Sequence, residues 1–225
     1  LPGETISLGF VFAGRHERGY IKRYTEMQFC PYLENDITPP DIYNTFVPFP
    51  LTFYKPDKPF DIEQTSIYQW LKQCLSDDDE EKLTFILNLL TWKLRFPWLR
   101  SERIWVLFSK EHGVGKGTFF HFFHHLTSPE HCLFYHNFTS YADPFNAQQV
   151  NKLLVFVDDT NGITPKEGAS LNSRVTLPRM KFNEKNMKAF WMNVCDEIML
   201  TSNDLSPLFC SNEDRRQCHI KVSKA

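Results

Sequence analysis

The sequence predicts an α/β fold in which a central, mainly parallel β-sheet follows a small helical subdomain. Short apolar runs recur in the second half of the chain, and their composition is typical of strands buried on both faces. The runs lie at 104–108, 133–135, 153–157 and 198–200. Helical or loop segments separate them, as in folds with a parallel sheet. Ahead of the first run, apolar residues recur at helical spacing, which predicts the preceding helices.

The composition suits one sizeable core and gives no sign of a strongly basic protein. The chain has 225 residues, of which 42% are hydrophobic, and a formal net charge of −2. Because there is no global basic field, any contact with nucleic acid must be local.

The sequence also indicates in which cellular compartment the protein lies. No apolar run is long enough to span a membrane and no signal peptide is visible, so we expect a soluble, intracellular protein without a membrane partner. Its six cysteines are scattered without close pairing, which favours free thiols over a disulfide framework. Since the chain begins at Leu1 rather than Met, we expect it to be part of a longer protein.

Residues 1–60 are rich in aromatic residues and prolines. Dense prolines break helices and favour extended segments, so this stretch is predicted to be an extended arm or linker. Short strands are expected near Ile6–Phe12 and Tyr20–Tyr24.

Residues 61–100 are predicted to form the helical subdomain. Its first helix would begin after a cap at Asp61, and its second would end before Pro97. The remaining residues, 101–225, would then form the α/β core.

A glycine-rich segment with one lysine lies between the run 104–108 and a predicted helix at 119–126. It contains Gly113, Val114, Gly115, Lys116, Gly117 and Thr118. Glycines let backbone N–H groups approach phosphate oxygens, the helix N-terminus adds its positive end, and the lysine would reach the terminal phosphates of a nucleotide.

The glycine-rich segment departs from the usual phosphate-loop pattern at two positions. That pattern has glycine at position 110 and serine or threonine at 117, whereas this chain has Lys110 and Gly117 and places its hydroxyl at Thr118. A glycine-rich turn without a ligand is the alternative interpretation.

Two acidic residues complete a candidate nucleotide site. Hydrolysis needs a carboxylate that holds a metal ion and a group that orients water. Asp158 and Asp159 follow the run 153–157, which would place them at the carboxyl edge of the sheet. We assign Asp158, together with Thr118, to Mg²⁺, and Asp159 to polarising the attacking water. A solvated acidic turn is the alternative.

Polar residues later in the chain suit the γ-phosphate. Asn203 follows the last apolar run, and its amide could hold the attacking water or the γ-phosphate. The guanidinium groups of Arg215 and Arg216 suit a γ-phosphate bound to a neighbouring subunit. The alternatives are a simple turn at Asn203 and surface pairing of the arginines with Glu213 or Asp214.

In this order the motifs resemble those of superfamily 3 helicases, within the AAA+ group of NTPases. They look nearest to the helicase part of virus and phage primase–helicases, whose phosphate loop often has the form Gly-x-Gly-Lys-Gly-Ser/Thr, as in residues 113–118. The resemblance implies that Asp158 and Asp159 form the second nucleotide motif, that Asn203 is the sensor asparagine and that Arg215-Arg216 is the arginine-finger region.

The resemblance covers 103–220 well, 61–96 weakly and 1–60 hardly at all. It implies an AAA+-like P-loop NTPase core and a basic hairpin, at the place of Ser173–Thr176 and Lys181–Lys185.

The charge distribution supports such a hairpin. Residues 166–188 contain six basic side chains and two acidic ones, a net +4 in a chain whose total is −2. Concentrated positive charge suits a phosphate backbone, although a solvated basic face is the alternative. The residues assigned to single-stranded nucleic acid are Arg174, Lys181, Lys185 and Lys188. Three nearby aromatic residues would either stack on bases or lie in the core: Phe182, Phe190 and Trp191.

The sequence therefore predicts an ATP- and Mg²⁺-dependent helicase that moves along single-stranded DNA during viral or phage genome replication. The resemblance implies a homo-oligomer in the form of a hexameric ring and an upstream primase domain on the same polypeptide. The alternatives are an initiator or packaging ATPase, an RNA-directed ATPase, and an assembly domain that does not hydrolyse nucleotide.

Overall fold

The computed structural model describes residues 24–31, 39–50, 61–160, 162–204 and 214–224. Two compact units are present, Leu1–Phe46 and Val47–Ala225. The strand predicted near Ile6–Phe12 lies outside the described residues, as does the one near Tyr20–Tyr24 except for Tyr24, which is not in a strand.

The described part of the first unit contains one small parallel pair of strands. These are β1 (Glu26–Gln28) and β2 (Ile42–Asn44). The Asn44 side chain joins the neighbouring loop, because it accepts a hydrogen bond from the Cys30 N–H at 3.0 Å and donates one to the Cys30 carbonyl at 2.7 Å.

The second unit begins with the helices that the apolar spacing predicts. Helix α1 (Ser66–Trp70) continues directly into a π-helix over Leu71–Leu75, and α2 (Glu80–Arg95) follows. Asp79 caps α2 by accepting hydrogen bonds from two backbone N–H groups of its first turn. Asp61 caps a short 3₁₀ turn, whereas the Thr65 hydroxyl caps α1 itself.

Strands and helices then alternate along the chain. They are β3 (Ile104–Phe108), α3 (Thr118–Leu126), β4 (Cys132–Tyr135), α4 (Phe138–Tyr141), β5 (Leu154–Val157), α5 (Pro165–Arg174), β6 (Arg179–Phe182), β7 (Phe190–Asn193), β8 (Glu197–Ser202) and β9 (Gln217–Lys221). Five strands form one wholly parallel sheet in the order β4-β5-β8-β3-β9, and β6 and β7 form a separate antiparallel hairpin. All four predicted apolar runs lie in this sheet. The edge strand β9 was not predicted, because its sequence, Gln-Cys-His-Ile-Lys, is only partly apolar.

Both faces of the sheet are covered, since successive side chains of a strand point to opposite faces. Trp105 and Leu107 pack in one cluster with α2 and α3. Ile104 and Val106 pack in another with α4 and α5. The predicted helical segment thus covers a face of the sheet, while the domain limits expected at 60 and 100 stay predictions.

The topology brings several loops to one edge of the sheet. Because the strands are parallel, the loops that follow β3, β5 and β8 all leave at the carboxyl edge. Strand β3 lies between β8 and β9, and the chain leaves it towards β4 on one side before reaching β9 on the other. A crevice for ligands is expected at such a reversal of strand order. Among the described residues, the helices are too short or too polar to cross a membrane.

Candidate functional site

The loop between β3 and α3 has backbone angles that suit its glycines. Gly113 and Gly115 have φ of +71° and +89°, in a region that other residues rarely adopt. A Cβ on Gly115 would lie 3.1 Å from Trp70 Nε1 and 3.2 Å from Thr118 Oγ1. Gly117, in contrast, has a helical φ of −71°, and a Cβ there would meet nothing within 4 Å. The backbone angles therefore favour glycine at positions 113 and 115 but not at position 117.

Lys116 joins the glycine loop to the predicted sensor. Its ammonium donates a hydrogen bond to Asn203 Oδ1 at 2.7 Å, across 87 residues of sequence. It also donates to the carbonyls of Ser109, at 3.3 Å, and Glu111, at 3.4 Å. Partial burial lowers the pKa of Lys116, while the charges of Asp158 and Asp159 act in the opposite direction. The lysine, both acids and the asparagine thus share one edge of the sheet.

Thr201 of β8 holds the acidic pair, although no sequence motif marks it. This residue is 1% exposed, and its hydroxyl donates to Asp158 Oδ1 and accepts the Asp159 N–H at 3.2 Å. Its carbonyl accepts two hydrogen bonds from Thr160, at 2.9 Å and 2.8 Å. A signal was available, since Val157 pairs with Leu200 once β5 and β8 are neighbours, and this register puts Thr201 beside Asp158.

The other residues predicted in the loop have different environments. The Thr118 side chain is exposed at the start of α3, on the same loop as Lys116. Val114 is 5% exposed and belongs to the apolar cluster beneath the loop. We therefore assign its side chain to packing.

The two predicted finger arginines lie at the opposite edge of the sheet from Lys116. The Arg216 carbonyl accepts a hydrogen bond from the Ile104 N–H at 2.7 Å, at the amino end of β3. The five residues of β3 separate it from the glycine loop, about 16 Å at the usual rise of a strand. Asp214 binds the Arg216 guanidinium through hydrogen bonds of 2.9 Å and 3.1 Å, whereas Arg215 is exposed.

An open cavity of about 1020 Å³ lies beside these arginines. Its described lining residues are Ser101, Glu102, Arg103, Thr176, Asp214, Arg215 and Arg216. The cavity and the glycine loop thus occupy opposite edges of one sheet.

Three of the four residues predicted to bind nucleic acid are exposed on the hairpin or its connecting turn: Lys181, Lys185 and Lys188. Arg174 differs, because it ends α5 with a side chain that is only 11% exposed. Its guanidinium donates to Asp196 Oδ2 at 2.9 Å and to the Tyr141 hydroxyl, and it lies 4.9 Å from the centroid of that ring. These internal partners make Arg174 a structural residue at the base of the hairpin, contrary to its predicted role. Phe182 is 1% exposed and lies in the core, so it cannot stack on a base.

A cluster of buried charges lies at the amino edge of the sheet. The Lys93 ammonium is 3.7 Å from Glu197 Oε1 and donates to the carbonyls of Pro97, Leu99 and Cys195. Burial lowers the pKa of Lys93, and Glu197 acts in the opposite direction. The Glu197 carboxylate also accepts hydrogen bonds from Ser101 and Trp105.

Arg100 extends this cluster to the base of the hairpin. It pairs with Asp196 at 3.5 Å and donates to the carbonyls of Arg174, at 3.3 Å, and Leu177, at 2.9 Å. Strand β8 therefore starts at this charge cluster and ends at the loop that carries Asn203.

A model of a family of unknown function, DUF5906, matches residues 107–216, just under half of the chain. A DNA primase-polymerase of Nitratiruptor phage NrS-1 is 25% identical over 177 residues, which cover 77% of this chain and 24% of that protein.

Solved structures agree with the fold. The apo structure of the NrS-1 C-terminal region has a TM-score of 0.73 at 23% identity, with 88% of this chain and 47% of that one covered. A second apo structure of the same region, in its A form, has a TM-score of 0.70 at 22% identity. The chain is thus similar to the C-terminal region of a phage protein, and it spans about a quarter of the whole relative. The matching family has no known function, so the superfamily 3 resemblance stays an interpretation of the motifs.

Proposed function

We propose that this chain is the ATP-hydrolysing, helicase-type domain of a viral or phage DNA replication protein. The relative is a DNA primase-polymerase from a phage, which is consistent with a replicative role and with a primase domain on the same polypeptide. The observation that carries the proposal is the hydrogen bond of 2.7 Å between Lys116 and Asn203, beside Asp158 and Asp159. With the two acids beside it, this bond brings together the four residues that the motifs assign to one nucleotide.

The residues at the carboxyl edge fit a triphosphate. Two glycines in the left-handed region leave the loop backbone open to phosphate oxygens, and the loop runs directly into the N-terminus of α3. Lys116 is partly buried but keeps three donor protons for neighbouring acceptors. On phosphate binding we expect its ammonium to exchange the Asn203 oxygen for phosphate oxygens.

The donor set also fits a hard cation. The Thr118 hydroxyl and the Asp158 carboxylate are oxygen ligands of the kind that Mg²⁺ prefers, and Thr201 fixes the orientation of that carboxylate. Bound Mg²⁺ would neutralise charge on the β- and γ-phosphates. Asp159 accepts a proton from the attacking water, and Asn203, released from Lys116, orients that water or the γ-phosphate.

The arginines favour a site shared between subunits. Arg215 is about a strand length away from the glycine loop of its own chain, so it suits the γ-phosphate of a neighbouring copy. Of the two arginines it is the better candidate, because Asp214 binds Arg216. We propose a homo-oligomeric ring, of which the resemblance implies six subunits.

The exposed lysines of the hairpin suit the phosphates of single-stranded DNA. Lys181, Lys185 and Lys188 are exposed, and their segment carries the positive charge of an otherwise weakly acidic chain. Hydrolysis at the glycine loop would move the hairpin along the strand. The same charges suit RNA equally well, so the test of the hairpin compares stimulation by single-stranded DNA with stimulation by RNA.

The nucleotide site is tested with Lys116→Ala and, as its matched control, Lys110→Ala, an exposed lysine of the same loop. We expect the magnesium-dependent release of phosphate from ATP to fall at least 100-fold in the first variant and to stay near wild type in the second. Survival of the ATPase in Lys116→Ala would contradict the proposal.

Movement of the hairpin along the strand is tested with the double variant Lys181→Ala, Lys185→Ala. The control is Lys166→Ala, which changes an exposed lysine of α5 outside the hairpin. We expect stimulation of the ATPase by single-stranded DNA, and displacement of a labelled strand, to be lost only in the double variant. Normal displacement by the double variant would exclude the hairpin as the moving contact. Stimulation by RNA alone would favour an RNA-directed enzyme.

A further inference from the structure

The hairpin β6–β7 has two chemically different faces. Side chains alternate between the faces along each strand. One face is exposed at all four positions and carries Arg179, Lys181, Trp191 and Asn193. The opposite face carries Met180, Phe182, Phe190 and Met192. On it Phe182 is 1% exposed, and its ring centroid lies 6.0 Å from that of Phe190. We call the exposed face the outer face.

Trp191 is unusual for so large an apolar side chain, because 60% of it is exposed. It is directly opposite Lys181 in the register of the hairpin, while Arg179 pairs with Asn193 two positions along. Directly opposed side chains are neighbours at about 5 Å, and diagonal ones remain within reach of long side chains. The indole therefore lies among cationic groups on a surface that the packing of the core does not require.

The hairpin is held in place at both ends. The Asn183 N–H donates to Asn146 Oδ1 at 2.8 Å, and the Ala147 N–H donates to the Asn183 carbonyl at 3.2 Å. At the base, the Val194 N–H donates to the Pro178 carbonyl at 3.1 Å, which extends the pairing of the two strands. Arg100 donates to the Leu177 carbonyl at 2.9 Å, which joins the base to the rest of the chain. These bonds order the outer face before any ligand binds, which reduces the entropy lost on binding.

We propose that the outer face binds single-stranded nucleic acid by stacking one unpaired base on Trp191, while Lys181 and Arg179 contact the flanking phosphates. The inference rests on the proposed function for its ligand, and it adds a preference for unpaired bases. An aromatic surface flanked by cations is the arrangement that binds single strands without reading their sequence. In a duplex the bases are already stacked on each other, so the indole would have nothing to stack on. Positive charge alone would not distinguish a single strand from a duplex.

The test compares two labelled 12-mers in the absence of ATP, one of thymidines and one of abasic sites with the same phosphates. Affinities are measured by fluorescence anisotropy for the wild-type chain, Trp191→Ala, Trp191→Phe and the control Met187→Ala, which removes a side chain that is 65% exposed in the turn. We expect Trp191→Ala to weaken binding of the thymidine 12-mer about tenfold or more and to leave the abasic one unchanged. Trp191→Phe should retain part of the difference in affinity between the thymidine and abasic 12-mers. Met187→Ala should bind both as the wild type does.

Three outcomes would overturn the proposal: equal losses on both 12-mers, no loss on either, or equal affinity of the wild type for a 12-base-pair duplex. Binding to anionic phosphatidylserine vesicles that depends on Trp191, with no difference between the two 12-mers, would assign the face to a lipid surface instead. The measurement needs no ATP turnover. Failure of the ATPase proposal through Lys116→Ala and failure of the stacking proposal are therefore separate results.

Discussion

The two edges of the parallel sheet carry similar residues in opposite environments. At the carboxyl edge, Lys116 and Asp158 are partly exposed beside an open glycine loop. At the amino edge, Lys93 and Glu197 are both buried. Strand β8 connects the edges, since Glu197 begins it and Thr201 lies near its end. The comparison indicates that a lysine near acids becomes a candidate for chemistry only where the backbone leaves room for a ligand. Where it is enclosed, no ligand reaches the pair, and removing one partner would leave the other buried without its counter-charge.

The largest expected effect comes from a substitution at the amino edge, and it is on the free energy of unfolding. Lys93→Met leaves the Glu197 carboxylate buried without its ion-pair partner and three carbonyls without their donor. We expect the free energy of unfolding, measured with urea, to fall by about 3–5 kcal/mol. The control Lys72→Ala breaks an exposed pair with Glu80 and should leave the free energy of unfolding near that of the wild type. Similar losses in the two variants would contradict the distinction between the edges.

Thr201→Val tests the positioning of the acids at the carboxyl edge. The substitution keeps the shape but removes the donor to Asp158 and the acceptor of the Asp159 N–H. Hydrogen bonds to charged groups contribute about 1.5–3 kcal/mol, so we expect kcat of the proposed ATPase to fall about 10- to 100-fold, with a smaller change in KM. Thr201→Ser should restore most of kcat. If the serine and valine variants were equally impaired, the role would be packing and not hydrogen bonding.

Gly115→Ala tests whether the loop backbone, rather than its charge, sets the shape of the site. Alanine at a φ of +89° is strained, and its Cβ would lie 3.1 Å from Trp70 Nε1. We expect the free energy of unfolding to fall by about 1–2 kcal/mol. Gly117→Ala is the matched control and should be neutral or slightly stabilising, because position 117 has helical angles and open space. Thermal melts of the two variants would check this. Equal melting temperatures would show that the loop tolerates a side chain at both positions.

The last effect concerns the free energy of unfolding at alkaline pH and depends on Cys132, which lies in the same apolar cluster as Val114 of the glycine loop. Burial raises the pKa of the Cys132 thiol from 9.0 to about 11. Between these values the unfolded chain has lost the proton that the folded chain keeps, so the unfolded state binds fewer protons. Stability therefore falls as the pH rises from 9 to 11, by at most about 1.4 kcal/mol per pH unit for this thiol.

Cys132→Ala should make the decline shallower by that contribution. Urea unfolding of both proteins at pH 8, 9, 10 and 11 measures the difference in slope. Parallel profiles would mean that this thiol does not titrate differently in the folded state.

Local patterns predicted the main elements well. The four apolar runs became strands of the sheet because a strand buried on both faces needs a continuous apolar sequence. The segment from Gly113 to Thr118 formed a turn with left-handed glycines before α3, as its composition indicates. Strand β9 was missed because an edge strand is covered less and tolerates polar residues.

Long-range contacts were harder to predict. Arg174 and Lys181 look alike in a basic segment, yet Asp196 and Tyr141 bind the first while the second is exposed. Thr201 could be recognised only after β5 and β8 were known to be neighbours. The approach of Trp70 to Gly115 joins two segments that no motif connects.

The sequence by itself determined the α/β class, four of the five strands of the sheet and the glycine loop, because these depend on residue periodicity and on local backbone preferences. Only the tertiary structure decided which charges are enclosed and which are open. The reason is physical: burial and ion pairing depend on segments that are distant along the chain, such as Lys93 with Glu197 and Lys116 with Asn203. Strand pairing brings each of these pairs together, and the pattern of neighbouring residues does not encode it.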